Sequence, residues 1–473
     1  STGAVSMTER TFSQALRRGL GSAIVELKNA GNATAYRDVL LRCCLRDISY
    51  DWQSEGTKGY YLYDALLASG EPEYYERAII EKFLSRCYDG LFYQLSAILY
   101  RFADDGSEDA KEALHSKYDY FASKKGRLRE TPPVHEGSQW DEVVFHLLSL
   151  DGFSAFKRYA EDVGKILLHD SENRAMYDGW FEVRVKNIFG KKKVDAFFDR
   201  NYGRSAAVKA LVDTLKIRSD GVNPFQAEAE RRKITIDDLL QSVRELAAEE
   251  RPRQKMTGSI YRFAKKASDS EMWDLAHVAL HEEHETVRAL LLKPFGLKTT
   301  WRRPFPLDIS PLMEYAWSEN TLLAESAIDC LEAFKDKRIH DLAVQLLERK
   351  GLGSFALALL IRNYRKTDDA LIAGLIGKSG VIPHHVQQDI REIYCRHRSA
   401  NALPILLHTY RRGECAFCRH YIVRAMHRCG GVPMKILKEC LYDCYDETRD
   451  FAKRLIKRSS IHSEGDGMNV RQL

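Results

Sequence analysis

The chain has 473 residues, of which 44% are hydrophobic and 29% charged, with 12 prolines and 29 glycines. These proportions exclude wholesale disorder and a collagen-like or linker-dominated chain. No apolar run reaches the ~18 residues that a membrane helix needs, so no membrane partner is expected. The net charge of +5 is unevenly placed: from Arg391 to Leu473 basic residues outnumber acidic ones by 16 to 9, and the preceding 390 residues sum to −2. A basic end on a near-neutral body fits either an anionic partner or a solvated Lys/Arg surface.

In chain order, Ser1 to Ser6 precede Met7 and read as an expression scar before the natural start. There is no secretory apolar segment. The ten cysteines sit in a chain long enough to bury its own core, so a reducing, cytoplasmic compartment is expected. Residues 7–125 read as an irregular helical region, with helices over 12–30, 35–45, 59–68, 74–87 and 91–102. Tyr60, Tyr61, Tyr63, Tyr74 and Tyr75 are expected to pack between those helices, with a binding surface as the alternative. Pro132 and Pro133 mark a loop over 126–139, and helices continue over 140–295. Prolines 294, 304, 306 and 311 surround Trp301, Arg302 and Arg303, placing a junction at 296–311.

From 312 to 460 the pattern becomes regular. Leu322, Leu323, Ala327, Cys330, Leu331 and Phe334 recur at three- and four-residue steps, as do Ile339, Leu342, Ala343, Leu346 and Leu347. Two-residue alternation is scarce, so a mostly α chain is predicted. Helix pairs emerge, the second member of each (B) starting near Glu319, Gly353, Pro383, Glu414 and Asp446, at steps of 34, 30, 31 and 32 residues. One such pair cannot bury its apolar face alone, so the unit multiplies into a stack. Residues 461–473 read as a mobile tail.

Segments 283–292, 418–426 and 446–456 each place an acidic or polar turn before a helix carrying Val or Arg, then Ala and Leu or Met. In this they resemble the HEAT-like repeat α-solenoid family, most clearly over about 270–460. The resemblance implies an all-α, right-handed α-solenoid of stacked helix pairs whose B helices line a concave face. On that face it would set Arg391, Arg424 and Arg454, 33 and 30 residues apart, together with Arg362, Tyr364 and Tyr394. Guanidinium forks fit phosphate or carboxylate oxygens, and phenol rings can stack on bases. The competing reading has each arginine paired with an acid of a neighbouring repeat.

Other motifs carry less. Gly351, Gly353 and Ala356 match the letters of a dinucleotide fingerprint but follow a helix rather than a strand, so they read as an inter-helix turn. His281 and His284 are three apart, not the four that a zinc-protease helix requires. Cys415, Cys418, His420, His427, Cys429, Cys440 and Cys444 form the richest thiolate and imidazole group. Small cysteines packing at helix contacts account for them as well as zinc does, and no metal or other cofactor is expected. No nucleophile elbow and no phosphate loop is present.

Three functions compete. The first is a non-catalytic scaffold holding a protein partner in its groove. The second is a nucleic-acid-binding array using the basic end, which would weaken steeply with salt. The third is a divergent alkylpurine DNA glycosylase. That family, which shares the HEAT-like fold, holds its lesion with a tryptophan and an aspartate one turn later. Here Gly56, Val144, Arg184, His277, Phe305 and Thr321 stand four residues after the six tryptophans, so an enzyme is not the expectation.

Overall fold

A computed structural model describes residues 7–29, 33–124, 130–131, 134–169, 180–220, 233–248 and 258–466. Ser1–Ser6, expected to be a scar, lie outside them. Among the described residues the protein is all-α, apart from the two-residue strands Glu130–Thr131 and Val134–His135, paired antiparallel, and one isolated parallel bridge. No described helix is long and apolar enough to cross a membrane. The chain divides into two compact units, one made of residues 1–224 with 433–473 and the other of 225–432. The Pro-rich segment at 296–311 therefore lies inside the second unit.

In the first unit, the single helix expected over 12–30 is two, Glu9–Arg18 and Gly21–Asn29. Gly19 separates them at φ 69°, its N–H closing on the Leu16 carbonyl. A side chain there would strain the left-handed backbone and collide with Cys444. The helix Met434–Cys440 packs on Gly21–Asn29 and on Asp446–Asp466. This closes the unit between residues far apart in sequence. Cys444 donates its N–H to Gly19 O at 2.9 Å, and Lys28 donates to the Tyr442 hydroxyl at 3.1 Å. The approach is so close that a Cβ on Gly21 would lie 1.8 Å from Glu439 O.

The interior of this unit holds satisfied polar groups. Gln94 donates to the carbonyls of Cys43, Cys44 and Arg46 and accepts from Ile48 N–H, so it caps the end of helix Arg37–Cys44. Lys58 is fully buried, and its ammonium meets Glu55 at 3.0 Å, Arg17 O at 2.9 Å and Ile48 O at 3.0 Å. Of the tyrosine cluster, Tyr61, Tyr63 and Tyr75 are core residues, while Tyr60 and Tyr74 are exposed. The loop expected over 126–139 ends early. Helix Glu136–Asp151 starts within it because the strand pair delivers the chain to Glu136, whose carboxylate meets Lys124 at 2.7 Å. Residues 125–129, 132 and 133, including both prolines of that loop, lie outside the described residues. Helix Asp446–Asp466 also runs past the start of the expected tail. Once nucleated on buried Ala452 and Leu455, adding polar residues costs it little.

In the second unit, sequence-encoded caps define the helices. Thr235 with Asp238, and Ser268 with Glu271, form capping boxes. Asn320, Asp336 and Cys415 each accept a backbone N–H from the first turn that follows. Four of the five expected B starts lead into helices: Thr321–Leu331, His384–His397 and Ala416–Arg428 here, and Asp446–Asp466 in the first unit. The B element expected near Gly353 is instead broken into 3-10 turns Gly351–Ser354 and Ala356–Leu359 and a short helix Leu360–Asn363. Phe355, in the left-handed region at φ 59°, interrupts the i→i+4 ladder there. Bonds between groups 29 to 33 residues apart tie the helices together. Examples are Lys350 to Trp317 O, His385 to Leu352 O, His408 to Ser379 O and Arg428 to Cys395 O.

Candidate functional site

Of the six residues expected on one ladder, Arg391 and Arg424 come together. They sit on the packed helices His384–His397 and Ala416–Arg428. The Arg391 guanidinium lies 4.7 Å from the Tyr421 ring centre and 5.5 Å from that of Phe417. Arg424 lies 5.6 Å from the same Tyr421 ring, and Phe417 meets Tyr421 edge to face at 5.1 Å. Two cations thus share one aromatic ring. Such contacts strengthen as water leaves the site. Arg391 keeps only 17% of its side-chain surface, and its Nε lies 3.7 Å from the Glu392 carboxylate. Its buried Nε and Nη1 have no hydrogen-bond partner. Phe417 and Tyr421 were missed in the sequence, yet 417, 421 and 424 follow helical spacing on one face and could have been found.

The other four residues divide differently. Tyr394 is fully buried, and its hydroxyl donates at 2.8 Å to Asp369 Oδ1. Tyr364 donates to the same oxygen at 2.8 Å, and Ser399 donates to Oδ2 at 2.6 Å. Burial above all pushes the Tyr364 phenol up to about 12 and the Tyr394 phenol higher still, with Asp369 adding to both. These rings therefore saturate a buried carboxylate; Tyr394 offers no stacking surface. Arg362 is exposed on helix Leu360–Asn363. Arg454 is exposed on helix Asp446–Asp466, which belongs to the first unit.

Acidic groups belong to the same second unit. Lys298 meets Glu332 at 2.6 Å, and Arg302 reaches Glu332 at 3.6 Å and the Asp329 carbonyl at 2.5 Å. Burial pushes Asp329 up to about 6. Asp389, only 5% exposed, is pushed up to about 8 by burial; Lys298 opposes that shift, and Glu332, Asp329 and Glu392 add to it. Near neutral pH, Asp389 therefore holds its proton.

A third group gathers at the start of the same two helices. The parallel bridge pairs Ile382 with Gly413, and Ile382 donates to Arg412 O at 3.2 Å. That register sets His384 beside Cys415, each two residues further on. A ring nitrogen of His384 and the sulfurs of Cys415 and Cys418 all lie within 4.8 Å of one another, with Cys418 Sγ 3.9 Å from His384 Nδ1. Both sulfurs are fully buried and His384 is half-buried. Cys415 is the N-cap of helix Ala416–Arg428, its sulfur accepting from Cys418 N–H at 3.4 Å. The Cys415 thiol is brought down to about 5, chiefly by its hydrogen bond with Cys418 and also by His384, against its burial. The Gln387 carbonyl accepts from Cys415 N–H at 3.2 Å, and a Cβ on Gly413 would lie 1.8 Å from Gln387 Nε2. Glycine at 413 is what lets that amide reach Cys415. His384 was not among the cysteine-rich group read from the sequence, although it precedes Cys415 by 31 residues, one repeat step.

The remaining motifs resolve as local structure. His284 caps helix Glu285–Gly296, accepting from Val287 N–H at 3.4 Å, and His281 bonds the His277 carbonyl at 2.8 Å. Gly351 begins a 3-10 turn directly after helix Lys337–Lys350. Cys429 is buried with its thiol 3.4 Å from Tyr394 O. No family model matches the chain, and no curated protein or solved structure matches it.

Proposed function

We propose that this protein is a non-catalytic binding module built on HEAT-like stacked helix pairs, and that it holds an acidic polypeptide against the Arg391–Tyr421–Arg424 face. The right-handed turn of the stack is part of this reading, carried by the family resemblance. Hydrogen bonds between groups one repeat apart support the stacking. The observation that carries the partner is Arg391: a guanidinium held over two rings, with Nε and Nη1 enclosed, Nε facing Glu392 at 3.7 Å, and 17% of the side chain still open to solvent. That open edge, fixed in place by the rings, is what an incoming carboxylate would meet. A polypeptide is favoured over nucleic acid because the Tyr394 ring that base stacking would use is buried.

The test is fluorescence anisotropy of a labelled glutamate-rich peptide and of a labelled DNA duplex at low and physiological salt. The peptide is expected to bind, and Arg391→Glu and Arg424→Glu to abolish that binding with the helical circular dichroism unchanged. Preferential, salt-sensitive binding of the duplex would overturn the choice of partner. Loss of helicity in both variants would make the arginines structural.

A further inference from the structure

The geometry points to a zinc site formed by His384 Nδ1, Cys415 Sγ and Cys418 Sγ, with solvent as the fourth ligand, clasping the starts of two consecutive B helices. It stands independently of the acidic-partner reading. Three donors of the types zinc prefers already converge, and a tetrahedral ion bound by sulfur and imidazole nitrogen sets those atoms about 3.6 Å apart. The Cys418–His384 separation of 3.9 Å needs only a small inward movement to match. Two sulfurs and an imidazole select a borderline-soft cation over magnesium or calcium, which take oxygen ligands.

The surroundings suit charged sulfur. Cys415 and Cys418 occupy the N-cap and the third position of helix Ala416–Arg428, where free N–H groups and the helix dipole favour anions. Both sulfurs bind as thiolates, any proton still held on sulfur passing to solvent, and their two negative charges neutralise the dication. Gln387, held against Gly413, donates nothing to the ion. It fixes Cys415 through the backbone N–H, the outer support that metal ligands commonly have. Full burial of both sulfurs makes dithiol exchange with another protein a poor alternative use. The ion would join the 384–397 and 416–428 helices at their beginnings, setting the spacing at which Arg391 meets Tyr421.

The experiment titrates the reduced full-length chain with cobalt(II), then displaces it with zinc. One equivalent should bind, with a thiolate-to-cobalt charge-transfer band and the intense visible absorption of four-coordinate cobalt. Cys418→Ser should halve the charge-transfer intensity, and His384→Gln should weaken zinc by more than about 100-fold, beyond the loss of an outer support. Cys429→Ser, a buried cysteine outside the site, should titrate as the parent does. If Cys418→Ser loses its helical circular dichroism, the half-buried His384→Gln decides alone. The proposal is overturned if the parent shows no charge-transfer band at saturating cobalt, or if His384→Gln binds zinc as tightly as the parent.

Discussion

The two units share one device and differ in another. In both, side chains reach carbonyls about thirty residues away: Arg428 to Cys395 and His385 to Leu352 in the second, Lys117 to Leu84 and Ser85 in the first. In the first, further contacts join segments at opposite ends of the numbering, Lys28 with Tyr442 and Gly19 with Cys444. That closure carries a loop-entropy cost that contacts between near neighbours do not.

The sharpest way to break this comparison is a chain ending at Val432. Amide exchange should show protection lost throughout 9–29, while 258–432 keeps its own. Equal loss in both would show that the units are not separately organised. Next in size is Lys58→Met. It strands Glu55 and two carbonyls in the first unit's interior and should cost about 3–5 kcal/mol in urea unfolding. Within the second unit, Asp389 makes stability depend on pH in an unusual direction. Its folded value of about 8 lies above the ~3.9 of an unfolded aspartate. Between those limits the unfolded state binds fewer protons, so stability falls as pH rises from about 4 to about 8. Asp389→Asn should match the parent near pH 4 and be the more stable of the two near pH 8.5; identical pH profiles would refute the assignment. Tyr394→Phe should cost roughly 1.5 kcal/mol, because Asp369 keeps two of its three hydroxyl donors. Smallest is Lys350→Ala, below about 0.5 kcal/mol, since its partner Glu319 is almost fully exposed.

The fold was largely legible. Apolar residues at three- and four-residue steps marked helices such as Thr321–Leu331 and Lys337–Lys350, and the thirty-odd-residue spacing located the starts of four B helices. The breaks were harder. Gly19 lies in a helical apolar pattern that carries straight across it, and Phe355 adopts a backbone conformation that its residue type disfavours. The site was legible only in part. Arg391 and Arg424 share a repeat position, so spacing found them. Tyr364 and Tyr394 share one too, but spacing does not say which side of a helix is covered.

Sequence alone thus determined the local outcome: which segments become helices and where caps begin them. Both depend on groups within a few residues. Tertiary structure decided what depends on distant neighbours. It turned two tyrosines inward to Asp369, brought His384 to Cys415 through a single parallel bridge, and joined the chain's ends in one unit. Burial and proximity are set by whichever segment packs opposite, and no residue carries that information by itself.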